Sequence, residues 1–255
     1  MTKRDGELIE VCLDIGIYIL TSGGEVTRVE DTVSRILSAY GMKETGVFTI
    51  TSLIEVNTVT EEGEKIVQVK RIQESCGSNM DRLEKLNALA RKICDTCPEV
   101  EEIRRELDEI MQPVQEPAII SYLGAILAAC GFTVFFGGTL HDVPVTLVLA
   151  CIINHIDRRG VYKRANQLLY YLVCSIMTGI VGSILVNLGV GLHLDKILIG
   201  CIMLTIPGIA ITYSVRDMML GEIITGLLRF AESLLIAASI ASGYIFAALL
   251  MGGIK

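Results

Sequence analysis

The stretch PAIISYLGAILAACGFTVFF, Pro117 to Phe136, decides how the chain is read. It carries no charge, and about 20 apolar residues at about 1.5 Å of helical rise each match a hydrocarbon core about 30 Å thick. Proline at its head suits a helix start, where no N–H is needed. The stretch also marks a seam in composition. Residues 1–117 hold 14 Lys+Arg and 23 Asp+Glu, a net charge of −9, whereas residues 118–255 hold 8 and 6, a net of +2. The sequence therefore predicts a cytosol-type domain over 1–117 and a membrane domain over 118–255.

The acidic balance of the soluble part speaks against nucleic acid as a partner. Eight cysteines, four on each side of the seam, form no secretory framework. A signal-peptide reading of residues 8–20 is interrupted by Glu10 and Asp14, and Thr21-Ser22-Gly23-Gly24 is a poor cleavage site. Reduced thiols and a cytosolic N-terminal domain follow.

Within that domain, Leu8, Ile9, Val11, Cys12, Leu13, Ile15, Ile17, Ile19 and Leu20 predict a helix apolar nearly all round. It is too short to span and suits a core, a membrane surface or a partner. Ser22-Gly-Gly-Glu25 reads as a capping box opening a second helix. That helix has Val26, Val29, Val33, Ile36 and Leu37 on one face, Arg28, Glu30 and Asp31 on its polar side, and a stop at Gly41. Alternating β-branched segments at 47–52, 53–60 and 65–72, the last two joined by a turn at 61–64, predict a small sheet. Met80, Leu83, Leu86, Leu89 and Ile93 predict a third helix. A fourth begins at Pro98, with Val100, Ile103, Leu107 and Ile110 on its apolar face. The domain is thus α/β: two helices, a small β-sheet, two helices. Cys94-x-x-Cys97 lies between the last two, but a zinc site needs two more ligands and only Cys76 is within reach. The spacing reads as chance, and no metal or cofactor is implied.

The membrane domain is predicted to be all-α and polytopic, with five transmembrane helices at about 118–140, 139–156, 165–189, 197–215 and 223–254. Arg158, Arg159, Lys163 and Arg164 crowd one loop, which the positive-inside rule places in the cytoplasm. Ser175, Gly179, Ser183 and Asn187 recur every four residues, as do Ser239, Gly243 and Ala247. Small residues at that spacing let helices approach closely. Pro207-Gly208 falls about 15 Å into the fourth span, near the midplane. There the missing N–H and the permissive glycine allow either a kink or a local unwinding that exposes backbone groups. After it come Arg216-Asp217, Gly221-Glu222, Gly226, Arg229 and Glu232. Arg229 and Glu232 are three apart, able to pair on one helix face near the cytoplasmic boundary. His141-Asp142 and His155-x-Asp157 border the second span and are weak signs of a proton relay.

Two stretches together resemble the threonine/serine exporter family. One is Ser22-Gly-Gly-Glu25-Val-Thr-Arg28-Val-Glu30-Asp31, similar to the family's cytosolic signature. The other is Ile206-Pro207-Gly208 with Arg216-Asp217, Gly221-Glu222, Gly226, Arg229 and Glu232, similar to its Pro-Gly…Asp…Gly-Asp…Gly…Arg segment. Gly24 and Glu222 depart from a commoner Ala and a commoner Asp. The resemblance implies a secondary exporter of small amino acids (threonine/serine-like) or related small organic acids in a bacterial cytoplasmic, or inner, membrane. It further implies the larger subunit of a split, two-component type, completed by a small four- or five-span membrane protein. Pro207, Gly208, Asp217, Glu222, Arg229 and Glu232 are then the expected substrate pathway, and Glu25, Arg28, Glu30 and Asp31 the cytosolic-domain motif. No catalytic residue is expected. A competing reading is a membrane-anchored regulatory or enzymatic protein whose activity lies in the N-terminal domain. That domain contains no His, no GxSxG elbow and no phosphate loop, which leaves hydrolysis and phosphoryl transfer without support.

The topology is testable directly. A reporter fused after Gly160 should score cytoplasmic and one fused at Lys255 extracytoplasmic; both scoring on one side contradicts five spans.

Overall fold

The computed structural model describes residues 3–72, 79–112, 117–159 and 166–252. Lys163, Arg164, Cys76 and the ends of the third and fifth expected spans lie outside them. By its internal contacts the chain forms two compact units. One is Met1–Val114 with Thr212–Arg229, the other Gln115–Ile211 with Phe230–Lys255.

In the first unit, helix α1 spans Lys3–Thr21 and α2 Val26–Ala39. Strands β1 (Lys43–Ile50), β2 (Leu53–Val59) and β3 (Lys65–Arg71) follow, then α3 (Met80–Thr96) and α4 (Val100–Met111). The sheet is antiparallel in the order β1-β2-β3. The all-round apolar α1 is a core helix. Ile9, Leu13, Ile15, Ile19 and Leu20 are fully buried among α2, α3, α4 and β2. A helix that is apolar nearly all round is accommodated at the centre of this unit, packed on every side. Gly16 lets the sheet approach, since a Cβ there would stand 2.8 Å from Ile54 Cδ1.

Two local expectations need revision. The capping box does not form. α1 continues to Thr21, the Ser22 N–H donates to Tyr18 O at 3.0 Å, and the Ser22 hydroxyl is buried with no hydrogen-bond partner. Glu25 occupies the N-cap position of α2 without a side-chain capping bond, because its carboxylate is engaged elsewhere. Strand β1 starts at Lys43 rather than 47, since its polar opening, with Glu44 at φ 50° and a register shift before Gly46, hides the alternation. Gly41 does end α2, in the left-handed region at φ 81°.

The second unit is helical. Helices α5 (Ala118–Phe135), α6 (Val143–Arg159), α7 (Gln167–Asn187) and α8 (Leu194–Ile202) precede α9 (Gly208–Met219) and α10 (Ile223–Leu250), each of which has residues assigned to both units. Among the described residues three helices are long and apolar enough to cross a membrane: Ala118–Phe135, Gln167–Asn187 and Ile223–Leu250. Of the other two expected spans, one is the 17-residue α6 and the other is broken. There α8 stops at Ile202, and a new helix starts at Gly208 directly after Pro207. A simple kink would keep one helix, so the pair interrupts the segment outright.

The two small-residue stripes face each other. A Cβ on Gly179 would meet Ala247 Cβ at 2.6 Å, and one on Gly243 would meet Ser175 Cβ at 2.6 Å and Leu172 O at 2.8 Å. Tyr244 Oη lies 3.1 Å from Thr178 Oγ1 in the same seam. The stripes therefore serve this chain's own packing and do not speak for a second protein. Asp142 is a clamp between loops. It accepts from the N–H groups of Thr139, Leu192 and His193 at 2.7, 2.8 and 3.0 Å, and lies 3.1 Å from His193 Nδ1.

Gly243→Val places a branched side chain against the Leu172 carbonyl and should destabilise the purified chain by about 1–3 kcal/mol. Thermal unfolding in detergent measures this; a variant as stable as the parent contradicts the close crossing.

Candidate functional site

Residues 212–229 form a helix–turn–helix elbow built by two glycines. Gly221 turns the chain at φ 99°, a region closed to most side chains. Gly226 then lies against the incoming helix, where a Cβ would stand 2.7 Å from Ser214 O. The close approach sets Asp217 and Arg229 opposite each other. Arg229 Nη1 donates to Asp217 Oδ2 at 2.8 Å, and the two side chains are 7% and 2% exposed.

This pair continues into the N-terminal motif. Arg229 Nη2 lies 3.5 Å from the Gly24 carbonyl, Arg216 Nη2 3.4 Å from Asp217 Oδ1, and Arg216 Nη1 2.9 Å from Glu25 Oε1. The Arg216 guanidinium also stands over the Tyr213 ring, 4.5 Å from its centre. The result is a chain of alternating charges, Glu25, Arg216, Asp217, Arg229, joining two stretches almost 200 residues apart. Glu30 borders it. The Thr49 N–H donates to Glu30 Oε1 at 2.8 Å. Burial pushes the Glu30 carboxyl above its ordinary value; the Thr49 bond pulls it down, and the nearby Glu222 carboxylate pushes it up again.

Several expected site residues meet here and others do not. Asp217, Glu222, Arg229, Glu25 and Glu30 belong to this cluster. Arg28 and Asp31 lie on another side of α2 and are exposed, Asp31 pairing with Arg35 at 2.9 Å. Pro207, Gly208 and Glu232 belong to the other unit. The expected pairing of Arg229 with Glu232 gives way to Asp217, while Glu232 is exposed. A guanidinium this buried requires a buried, fixed carboxylate, and a neighbour one turn on at the surface cannot provide it. Arg216 was the residue missed as a site member, although its place beside Asp217 in the sequence was the available signal. Gly24, a mild departure from the family pattern, is sterically required here. A Cβ would stand 2.7 Å from the Ile19 carbonyl.

Around the cluster, the buried Ser22, Thr49 and Thr225 hydroxyls and the Arg216 Nε have no hydrogen-bond partner among the described residues. Polar atoms left open beside paired charges suit a site that receives water or a polar solute. Among the described residues no group of three or more His, Cys, Asp or Glu is placed to hold a metal ion. The Cys94 thiol is pushed up by burial and by the Asp95 carboxylate, which disfavours the thiolate a metal requires.

A broken apolar segment followed by a charged elbow, on a chain with membrane-length helices, is an arrangement that membrane transporters use. The model of the threonine/serine exporter family matches residues 10–251, and the chain belongs to that family, one of transporters rather than enzymes. The chain is 24% identical over 237 residues to a "Threonine/serine exporter" of Corynebacterium glutamicum, covering 90% of this chain and 48% of that protein. It is 23% identical to a "Probable threonine/serine exporter" of Mycobacterium tuberculosis, covering 93% and 45%. Thus it spans about half the length of these relatives. A "Probable succinate transporter subunit" of Klebsiella aerogenes is 20% identical, with 95% of this chain and 93% of that protein covered. No solved structure matches.

Asp217→Asn or Arg229→Gln alone leaves a buried charge uncompensated and should lower stability by about 3–5 kcal/mol. The reciprocal exchange, Asp217→Arg with Arg229→Asp, should recover a large part in thermal unfolding of the purified chain. No recovery, with both single variants as stable as the parent, contradicts the pair.

Proposed function

We propose that this chain is the larger subunit of a two-component secondary exporter in a bacterial inner membrane. It would move small amino acids of the threonine/serine kind, or related small organic acids, out of the cell. In this reading residues 1–117 lie in the cytosol, residues 118–255 supply five spans, and a small four- or five-span membrane protein completes the pathway. The match to nearly the full length of a relative named as a transporter subunit supports the split arrangement, as does the match to about half the length of two relatives named as exporters.

The observation that carries the transport reading is the buried Asp217–Arg229 pair and its extension through Arg216 to Glu25. Such a chain closes a passage while every charge is paired. A substrate carboxylate offers a guanidinium the same planar partner that Asp217 does, so it can exchange with that carboxylate. The carboxylates released from pairing, with Glu222 beside them, can then take a substrate ammonium or a coupling proton. The interruption at Pro207-Gly208 is the second feature this reading takes up, since transporters build substrate sites on interrupted helices. Glu232 stands at the cytoplasmic boundary of the last span.

Expressed alone in cells lacking related exporters, the chain should give no export of threonine, serine or succinate. Co-expression with a small family member of four or five spans should restore export and allow joint purification. Full transport by the chain alone in liposomes contradicts the two-component reading.

A further inference from the structure

Helix α2 serves two places. Glu25 and Glu30 meet the elbow, but Arg28 lies two residues from Glu30, about 200° around the helix. There α2 and α3 enclose a groove of about 440 Å3, lined by Arg28, Asp31 and Arg35 from one helix and Asn87, Arg91 and Asp95 from the other. Its size falls within the range of small-molecule clefts.

The charge pattern of the groove is specific. Three guanidiniums gather in it although residues 1–117 carry a net charge of −9. Arg35 is taken by Asp31 at 2.9 Å. Arg28, Arg91 and Asp95 form no ion pair among the described residues, so of the three positive and two negative charges lining the groove only Arg35 and Asp31 are engaged with each other. Asn87 Nδ2 donates to the Leu83 carbonyl at 2.7 Å, which fixes its amide and leaves Oδ1 as an acceptor. Guanidinium groups hold carboxylates by paired N–H donors, and a lone carboxylate suits an ammonium.

We infer that the α2–α3 groove is a binding site for a small dicarboxylate, with or without an α-ammonium group, separate from the charged elbow on the same helix. Arg28 and Arg91 hold the two carboxylates, and Asp95 receives an ammonium where the ligand has one. The site stands apart from the transport reading, because its occupancy is measurable whether or not the chain exports anything.

Calorimetric titration of the full chain in detergent with succinate and with L-aspartate tests the site. One of them at least should bind in a saturable 1:1 manner, and Arg91→Gln, a change on an exposed helix surface, should weaken binding at least tenfold. Arg91→Lys, which keeps the charge but loses the paired donors, should fall between. The ligand source is read from Asp95→Asn: weaker binding of L-aspartate alone assigns an amino dicarboxylate, and unchanged relative affinities assign a plain dicarboxylate. Absence of saturable binding by both ligands to the parent chain overturns the proposal. So does equal affinity in the parent and in Arg91→Gln.

Discussion

A guanidinium removed from water must meet a carboxylate, and the pairing of Arg229 with Asp217 meets that requirement with side chains only 7% and 2% exposed. Most of the site follows from it. The elbow must bring position 229 back to position 217, so it turns at Gly221 and closes at Gly226, where nothing larger than hydrogen fits against Ser214 O. Arg216 is then carried to Glu25, and residues 212–229 join the N-terminal α/β unit although they are flanked by apolar helices. Were the pair broken, each of these placements would lose its cause.

The pair also explains why two distant sequence stretches belong to one description. Glu25 gives up capping its own helix to engage Arg216. Burial, with the Glu222 carboxylate adding to it, holds the Glu30 carboxyl above its ordinary value although the Thr49 N–H bond pulls the other way. In the proposed function, an incoming substrate carboxylate would compete with Asp217 for the Arg229 guanidinium, beside hydroxyls that have no partner among the described residues. On another side of α2, Arg28 and Asp31 face a groove of their own. One motif therefore spans two chemical environments, and a single rigid helix separates them.

Much of this was legible in the sequence, for physical reasons that differ by element. The amphipathic faces of α2 and α4 and the turn at 61–64 are local, so periodicity and turn residues sufficed. The break at Pro207-Gly208 was visible because proline cannot continue the ladder. What escaped was long-range. A capping box at Ser22 is a sound local reading that a distant arginine overrode. Arg229 and Glu232 look paired because i, i+3 neighbours are the only partners a sequence displays, whereas burial chose Asp217 across the turn. The facing of the Gly179 and Gly243 stripes was equally invisible, since spacing tells that a helix packs closely but not against which neighbour.

The Asp217–Arg229 pair sets the elbow beside the Gly-Gly-Glu motif, with position 216 against position 25. In a cysteine-free background, Glu25→Cys with Arg216→Cys can be treated in native membranes with a short homobifunctional thiol reagent. Rapid formation of an intramolecular cross-link, with little between Arg216→Cys and the control Asp31→Cys on another side of α2, is the result the account predicts. Equal cross-linking of both pairs, or none at 25 and 216, would contradict it.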